Sequence, residues 1–130
     1  MKLSGRQLAI MRVLWDRQEA TVAEVREALD LERPLAYSTV ATVISRMEEK
    51  GLVTHRAEGR VFWYRPTVTE DSLGTSMVKD LVERIFGGSP AELVSHLLKS
   101  EDVNSGELDR IKQLVRRHEK KDGRKKGGSR

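Results

Sequence analysis

Leu35-Ala-Tyr-Ser-Thr-Val-Ala-Thr-Val-Ile-Ser-Arg-Met-Glu-Glu-Lys-Gly51 is the stretch on which the fold turns. Val40, Val43, Ile44 and Met47 recur at i, i+3, i+4 and i+7, which predicts a helix from about Tyr37 to Lys50 with one apolar face. Gly51 is its natural stop, because glycine accepts the left-handed backbone that ends many helices. The pattern then changes. Leu52–Ala57 and Arg60–Arg65 are rich in β-branched and aromatic residues, and Glu58-Gly59 between them is a two-residue hairpin signal. Pro66 closes the second strand.

Outward from this centre the signals are helix starts. Ser4-x-x-Gln7, Thr21-x-x-Glu24, Thr67-x-x-Glu70, Ser89-Pro90-x-Glu92 and Asn104-x-x-Glu107 all have the capping-box form, in which a short polar side chain satisfies free amide donors and the third residue reaches back. They predict helices over Gly5–Arg17, with Leu8, Met11, Leu14 and Trp15 on one stripe, and over Val22–Leu29, with Val22, Val25 and Leu29 inward. After the hairpin come Glu70–Phe86, Pro90–Lys99 and Ser105 to about Lys121. The apolar stripes are read as ordinary core. Asp122–Arg130 holds Lys, Arg, Gly and Ser with nothing to bury, so a disordered tail is expected there.

Three helices and a hairpin in about 65 residues describe a winged helix-turn-helix. In that architecture the third helix enters the major groove and the hairpin lies against the backbone beside it. The fold class is therefore mainly α: a winged helix-turn-helix over residues 1–67, a three-helix domain over 68–121 and a basic tail over 122–130. On the third helix the face away from the apolar stripe carries Ser38, Thr39, Ala41, Thr42, Ser45, Arg46 and Glu49. Ser and Thr hydroxyls donate or accept, a Thr methyl can touch a thymine methyl, and Arg46 can reach phosphate or guanine. A merely solvated helix face has the same composition, and composition does not choose between the two. On the hairpin, Arg56, Arg60 and Arg65 flank the tip and suit phosphate contacts. Phe62 and Tyr64 share a face and are expected to pack the hairpin onto the first helix, leaving Trp63 outward.

Composition bounds the remaining classes. The 130 residues are 38% hydrophobic and 34% charged, as expected of a small soluble domain. No apolar run approaches the roughly 20 residues that a membrane span needs, and Met1-Lys-Leu-Ser-Gly5 has no secretory pattern. A cytoplasmic protein without membrane insertion is expected. With no cysteine, a disulfide scaffold, a thiol nucleophile and a thiolate metal site are excluded. The net charge of +4 sits in the tail: Arg116–Arg130 holds eight basic and two acidic residues, and the other 115 residues hold sixteen basic and eighteen acidic. Between Leu35 and Arg65 the sign reverses, with five basic residues against three acidic. Basic character thus marks the candidate reading helix and wing independently of the tail.

The Leu35–Val53 stretch, followed by Arg56-Ala-Glu-Gly-Arg-Val-Phe-Trp-Tyr-Arg-Pro66, resembles the penicillinase-repressor family of BlaI/MecI-type regulators. Leu8-Ala-Ile-Met-Arg-Val-Leu-Trp15 is similar to its first helix, and Leu93-Val-Ser-His-Leu-Leu98 and Glu107–Leu114 are similar to its C-terminal part. The resemblance spans residues 4 to 118. It implies a homodimeric repressor that binds inverted-repeat double-stranded DNA, with no cofactor. It also implies base reading by Ser38, Thr39 and Thr42 and backbone contacts by Tyr37, Arg46 and Arg60. Ser38 and Ala41 stand where several relatives carry longer basic side chains, so the resemblance does not fix the operator sequence. The second domain would dimerise through Met77, Leu81 and Ile85, Leu97, and Leu108, Ile111 and Leu114. Well-known members are released from DNA when a membrane metalloprotease sensor cuts an Asn-Phe bond. Such a sensor is an implied partner, but His96-Leu97 occupies that position here. Another branch senses copper through cysteines, which this chain lacks.

Two other classes would need different features. An enzyme would need a constellation that is missing: His55, His96 and His118 have no partners at metal-ligand spacing, Asp122 stands where a zincin-type motif after His118-Glu119 needs histidine, and no nucleophile elbow or phosphate-binding glycine loop is present. No catalytic, metal or cofactor residue is assigned. An adaptor that uses the winged helix to bind protein would show no salt-dependent affinity for DNA.

Overall fold

The structure, a computed structural model, describes residues 3–29 and 33–128, with side chains through residue 123. The element order is α1 (Gly5–Arg17), α2 (Val22–Ala28), α3 (Tyr37–Glu49), β1 (Val53–Glu58), β2 (Val61–Pro66), α4 (Glu70–Ile85), α5 (Pro90–Lys99) and α6 (Ser105–Gly128). This is the winged helix-turn-helix followed by three helices that the periodicity predicts. The chain divides into two compact units, residues 1–80 and 81–130.

In the first unit the local signals act as expected. Ser4 with Gln7 and Thr21 with Glu24 form complete capping boxes at the starts of α1 and α2. At the end of α3, Gly51 takes φ +80, and the amides of Gly51 and Leu52 bond back to the carbonyls of Glu48 and Met47. That is the paired closure of a Schellman motif, and it places Leu52 beside Met47 in the core. The core itself is Ile10, Met11 and Leu14 of α1, Val22 and Val25 of α2, Val40, Ile44 and Met47 of α3, and Ala20, Leu52, Val53 and Tyr64. No described buried side-chain nitrogen or oxygen is left without a hydrogen-bond partner.

Three sequence expectations shift. The strands pair antiparallel with Glu58 opposite Val61, so the two-residue loop is Gly59-Arg60 rather than Glu58-Gly59. Gly59 sits first in it at φ +63, as a II′ hairpin turn requires, because that φ fits the twist of the strands. The cap of α4 is Thr69, whose hydroxyl accepts from the Ser72 amide. Thr67 instead donates its hydroxyl to the Gly51 carbonyl and ties the end of the wing to the end of α3. Phe62 does not pack onto the first helix: it is 45% exposed and stacks on His55 with ring centroids 4.2 Å apart, whereas Tyr64 two residues on is buried.

The break between the units falls inside α4, not at residue 67. The Trp15 indole N–H donates to the Val68 carbonyl at 2.9 Å, and Val68 packs against the core of the first unit, which draws the start of α4 into that unit. In the second unit α6 continues as helix to Gly128, past Lys121 where the sequence pattern ends it. A disordered tail is expected over 122–130; the backbone is helical through Gly128, and residues 129–130 lie outside the described residues. Propensity does not explain the extension, since Asp122, Gly123, Gly127 and Gly128 are poor helix formers. No helix among the described residues is long and apolar enough to cross a membrane.

Candidate nucleic-acid interface

The underside of α3 is fixed by Val40, Ile44 and Met47, all at 0% exposure. This orients the opposite face outward without any capping side chain at its N-terminus, where Ala36 makes no side-chain bond. Ser38, Thr42 and Ser45, at i, i+4 and i+7, form an exposed stripe of short polar groups, and Thr39 is half-buried on its flank. The Thr42 hydroxyl donates to the Ser38 carbonyl at 2.9 Å. Its proton is therefore directed into the helix, and the lone pairs and methyl remain for a ligand. Arg46 is exposed beside this stripe.

Tyr37 and Arg60, two expected backbone contacts from different elements, line one cleft together with Thr21, Ala41 and Phe62. Tyr37 is 55% exposed. Arg60 at the wing tip has no hydrogen bond or ion pair among the described residues. Arg56 differs. Its guanidinium reaches both Glu19 carboxylate oxygens, at 2.9 and 2.7 Å, bonds Glu58 at 2.9 Å and lies over the Trp63 ring. Hydrogen bonding to Glu19 and then Glu58 raises the Arg56 pKa further, and the bond from Arg56 lowers that of Glu19. Arg56 is thus a brace between wing and the α1–α2 turn, and the expectation of three equivalent wing arginines is corrected: Glu19 and Glu58 already neutralise this one. Trp63 is correspondingly half-buried beneath it.

Other contacts also fix the site. Ala20 pairs with Tyr64 through reciprocal backbone bonds of 3.0 and 2.8 Å, adding a short third edge to the hairpin. The Glu48 carboxylate of α3 meets His55 Nδ1 of β1 at 2.6 Å, with the imidazole between Glu48 and Phe62. The Arg26 Nε–H donates to the Leu35 carbonyl at 2.7 Å and holds the entry to α3. Burial raises the Tyr64 pKa. None of these pairs has a short sequence spacing that marks it, apart from the seven-residue step from Glu48 to His55.

In the second unit, Val82 is buried, α5 buries no residue, and Leu81, Ile85, Leu97 and Leu114 are 42%, 67%, 46% and 55% exposed. Leu108 and Ile111 are half-buried, as is Met77 in the first unit. His96-Leu97 lies within α5, the His96 ring 5.7 Å from that of Phe86. No group of three or more His, Asp or Glu that could hold a metal occurs among the described residues.

Comparison with known proteins gives a consistent result. The sequence model of the family described as Penicillinase repressor matches residues 3–117. The chain is 34% identical over 116 residues to the transcriptional regulator BlaI of Mycobacterium tuberculosis, covering 88% of this chain and 83% of that one. It is 25% identical to the penicillinase repressor of Bacillus licheniformis, covering 90% and 91%. Among solved structures, the DNA binding domain of the repressor BlaI is 31% identical with a TM-score of 0.49, covering 55% of this chain and 87% of that one. The match runs through both units and includes α3 and the hairpin: the chain belongs to the penicillinase repressor family.

Proposed function

We propose that this protein is a non-enzymatic, DNA-binding transcriptional repressor that binds a pseudo-palindromic operator as a homodimer in the cytoplasm. The observation that carries the reading is the outer face of α3. Ser38, Thr42 and Ser45 form a short, uncrowded polar stripe on a helix whose opposite face is locked into the core, with Tyr37 and Arg60 together at one side of it. Such a face meets base edges, and the flanking groups meet phosphate. Ser38, Thr39 and Thr42 read bases in this proposal, and Tyr37, Arg46 and Arg60 contact the backbone. Membership of a repressor family supports it.

The second unit supports the homodimer. Its exposed leucine and isoleucine stripes cannot all be covered within one small unit, and a two-fold interface is the common way to complete such a core. Met77, Leu81, Ile85, Leu97, Leu108, Ile111 and Leu114 are the proposed contacts. Two-fold symmetry then requires two half-sites in inverted repeat.

The test is fluorescence anisotropy with duplexes tiled across the promoter of the protein's own gene, over a salt series, with and without residues 122–130. A saturable site with dyad symmetry that survives truncation is expected. Weak binding everywhere that vanishes with the tail would sink the reading and favour a protein-binding adaptor.

A further inference from the structure

A second cleft lies along the other flank of α3. Tyr37 and Ala41 face the wing. Val43, Arg46 and Lys50, at i, i+3 and i+7, face the start of α1, and the Ser38–Thr42–Ser45 stripe runs between the two flanks. Arg6 of α1 joins Arg46 and Lys50 in lining this cleft, and none of the residues that line it is acidic. All three cations are exposed, and none has a hydrogen-bond or ion-pair partner among the described residues. The polar neighbours Ser4 and Gln7 are occupied with each other in the α1 capping box. Three like charges from two elements thus converge on one concave surface, in a body whose acidic residues outnumber its basic ones once the C-terminal stretch is set aside. Clefts lined by one sign of charge concentrate potential and draw a ligand of the opposite sign.

We infer that Arg6, Arg46 and Lys50 form a second phosphate clamp, which takes the DNA strand on the wall of the major groove opposite the one met by Tyr37 and Arg60. This rests on the DNA-binding reading above and adds to it that α1 contacts DNA. A major groove about 12 Å wide admits a helix with a phosphodiester strand on either side. A reading helix with cationic groups on one flank only would be held against one wall. With both flanks cationic it is centred, and its polar stripe is aimed at the base edges. The guanidinium forks of Arg6 and Arg46 suit paired phosphate oxygens, and Lys50 supplies a point charge.

The test uses the full chain with Arg6→Gln, Lys50→Gln and the double substitution, each checked for unchanged melting, against an operator duplex and a scrambled duplex of equal length. The slope of log affinity against log salt should fall by about 0.9 for each lost contact, equally on both duplexes, leaving their affinity ratio unchanged. In ethylation interference the double variant should lose sensitivity at phosphates on one side of the groove, and Arg60→Ala at phosphates on the other. An unchanged slope in the double variant, with a reduced slope in Arg60→Ala, overturns the clamp and leaves the repressor reading intact. A changed operator-to-scrambled ratio also overturns it, by making these residues base readers. Wild-type protein that binds neither duplex with salt dependence would remove both readings together.

Discussion

Thr42 shows how much one hydroxyl can settle. Because its proton bonds to the Ser38 carbonyl, it presents an acceptor and a methyl, the combination that suits a base-edge amino group or a thymine methyl. Thr42→Ala should reduce discrimination against a mutated half-site by about 1–3 kcal/mol, measured by competition between the two duplexes. The wing arginines separate by the same kind of argument. Arg60→Ala should weaken binding to all sequences alike and flatten the salt slope by about one unit per bound protomer, while Arg56→Ala should leave that slope unchanged, because its charge is already matched by Glu19 and Glu58. The acid side follows from Glu19, whose pKa lies below the ordinary 4.5 in the folded chain. Its brace is fully present above 4.5 and is lost as pH falls through the lower folded value. Trp63 emission, followed on acid titration, should change in that window, and should not do so in Glu19→Gln. The sequence displays Arg56, Arg60 and Arg65 with equal claims to phosphate. What separates Arg56 is a carboxylate 37 positions earlier, a distance no periodicity spans.

At the scale of elements, α3 is the part most legible in advance, since one apolar stripe, one polar face and one glycine stop define it completely. Its seat can be tested by Ile44→Ala, which should destabilise by about 2–5 kcal/mol in denaturant unfolding, because a fully buried Ile leaves a cavity that its neighbours fill only partly. The hairpin was legible as a hairpin but off by one residue, because Gly-first and Gly-second loops look alike until the pairing of Glu58 with Val61 is known. The start of α4 is ambiguous in the sequence for a related reason. Thr67 and Thr69 both carry a capping hydroxyl, and only the tertiary contact of Thr67 with Gly51 decides which is free to cap. The flanking cleft of Arg6, Arg46 and Lys50 is invisible to linear reading, since it needs α1 laid beside α3.

For the molecule as a whole, the apolar stripes of the second unit are plain in the sequence, yet sequence alone cannot divide burial within a chain from burial between chains. Leu81 and Ile85 are on the surface of the single chain while Val82 between them is covered, and the proposed dimer would bury the exposed pair. Leu81→Lys should therefore give monomers in sedimentation, and an unchanged dimer mass would take α4 out of the interface. The first unit carries a different kind of consequence. Its hairpin is fastened at its base by the Ala20–Tyr64 pairing, by Thr67 on Gly51 and by Arg56 on Glu19, so docking has no loose ribbon to immobilise. Ordering the exposed cations on DNA still takes about 0.5–1.5 kcal/mol for each long side chain fixed, but the backbone that carries the wing is already in place. Complex formation should then resemble the meeting of two rigid bodies, with a heat-capacity change set by the area dehydrated and differences between target sequences expressed in how long the complex lasts.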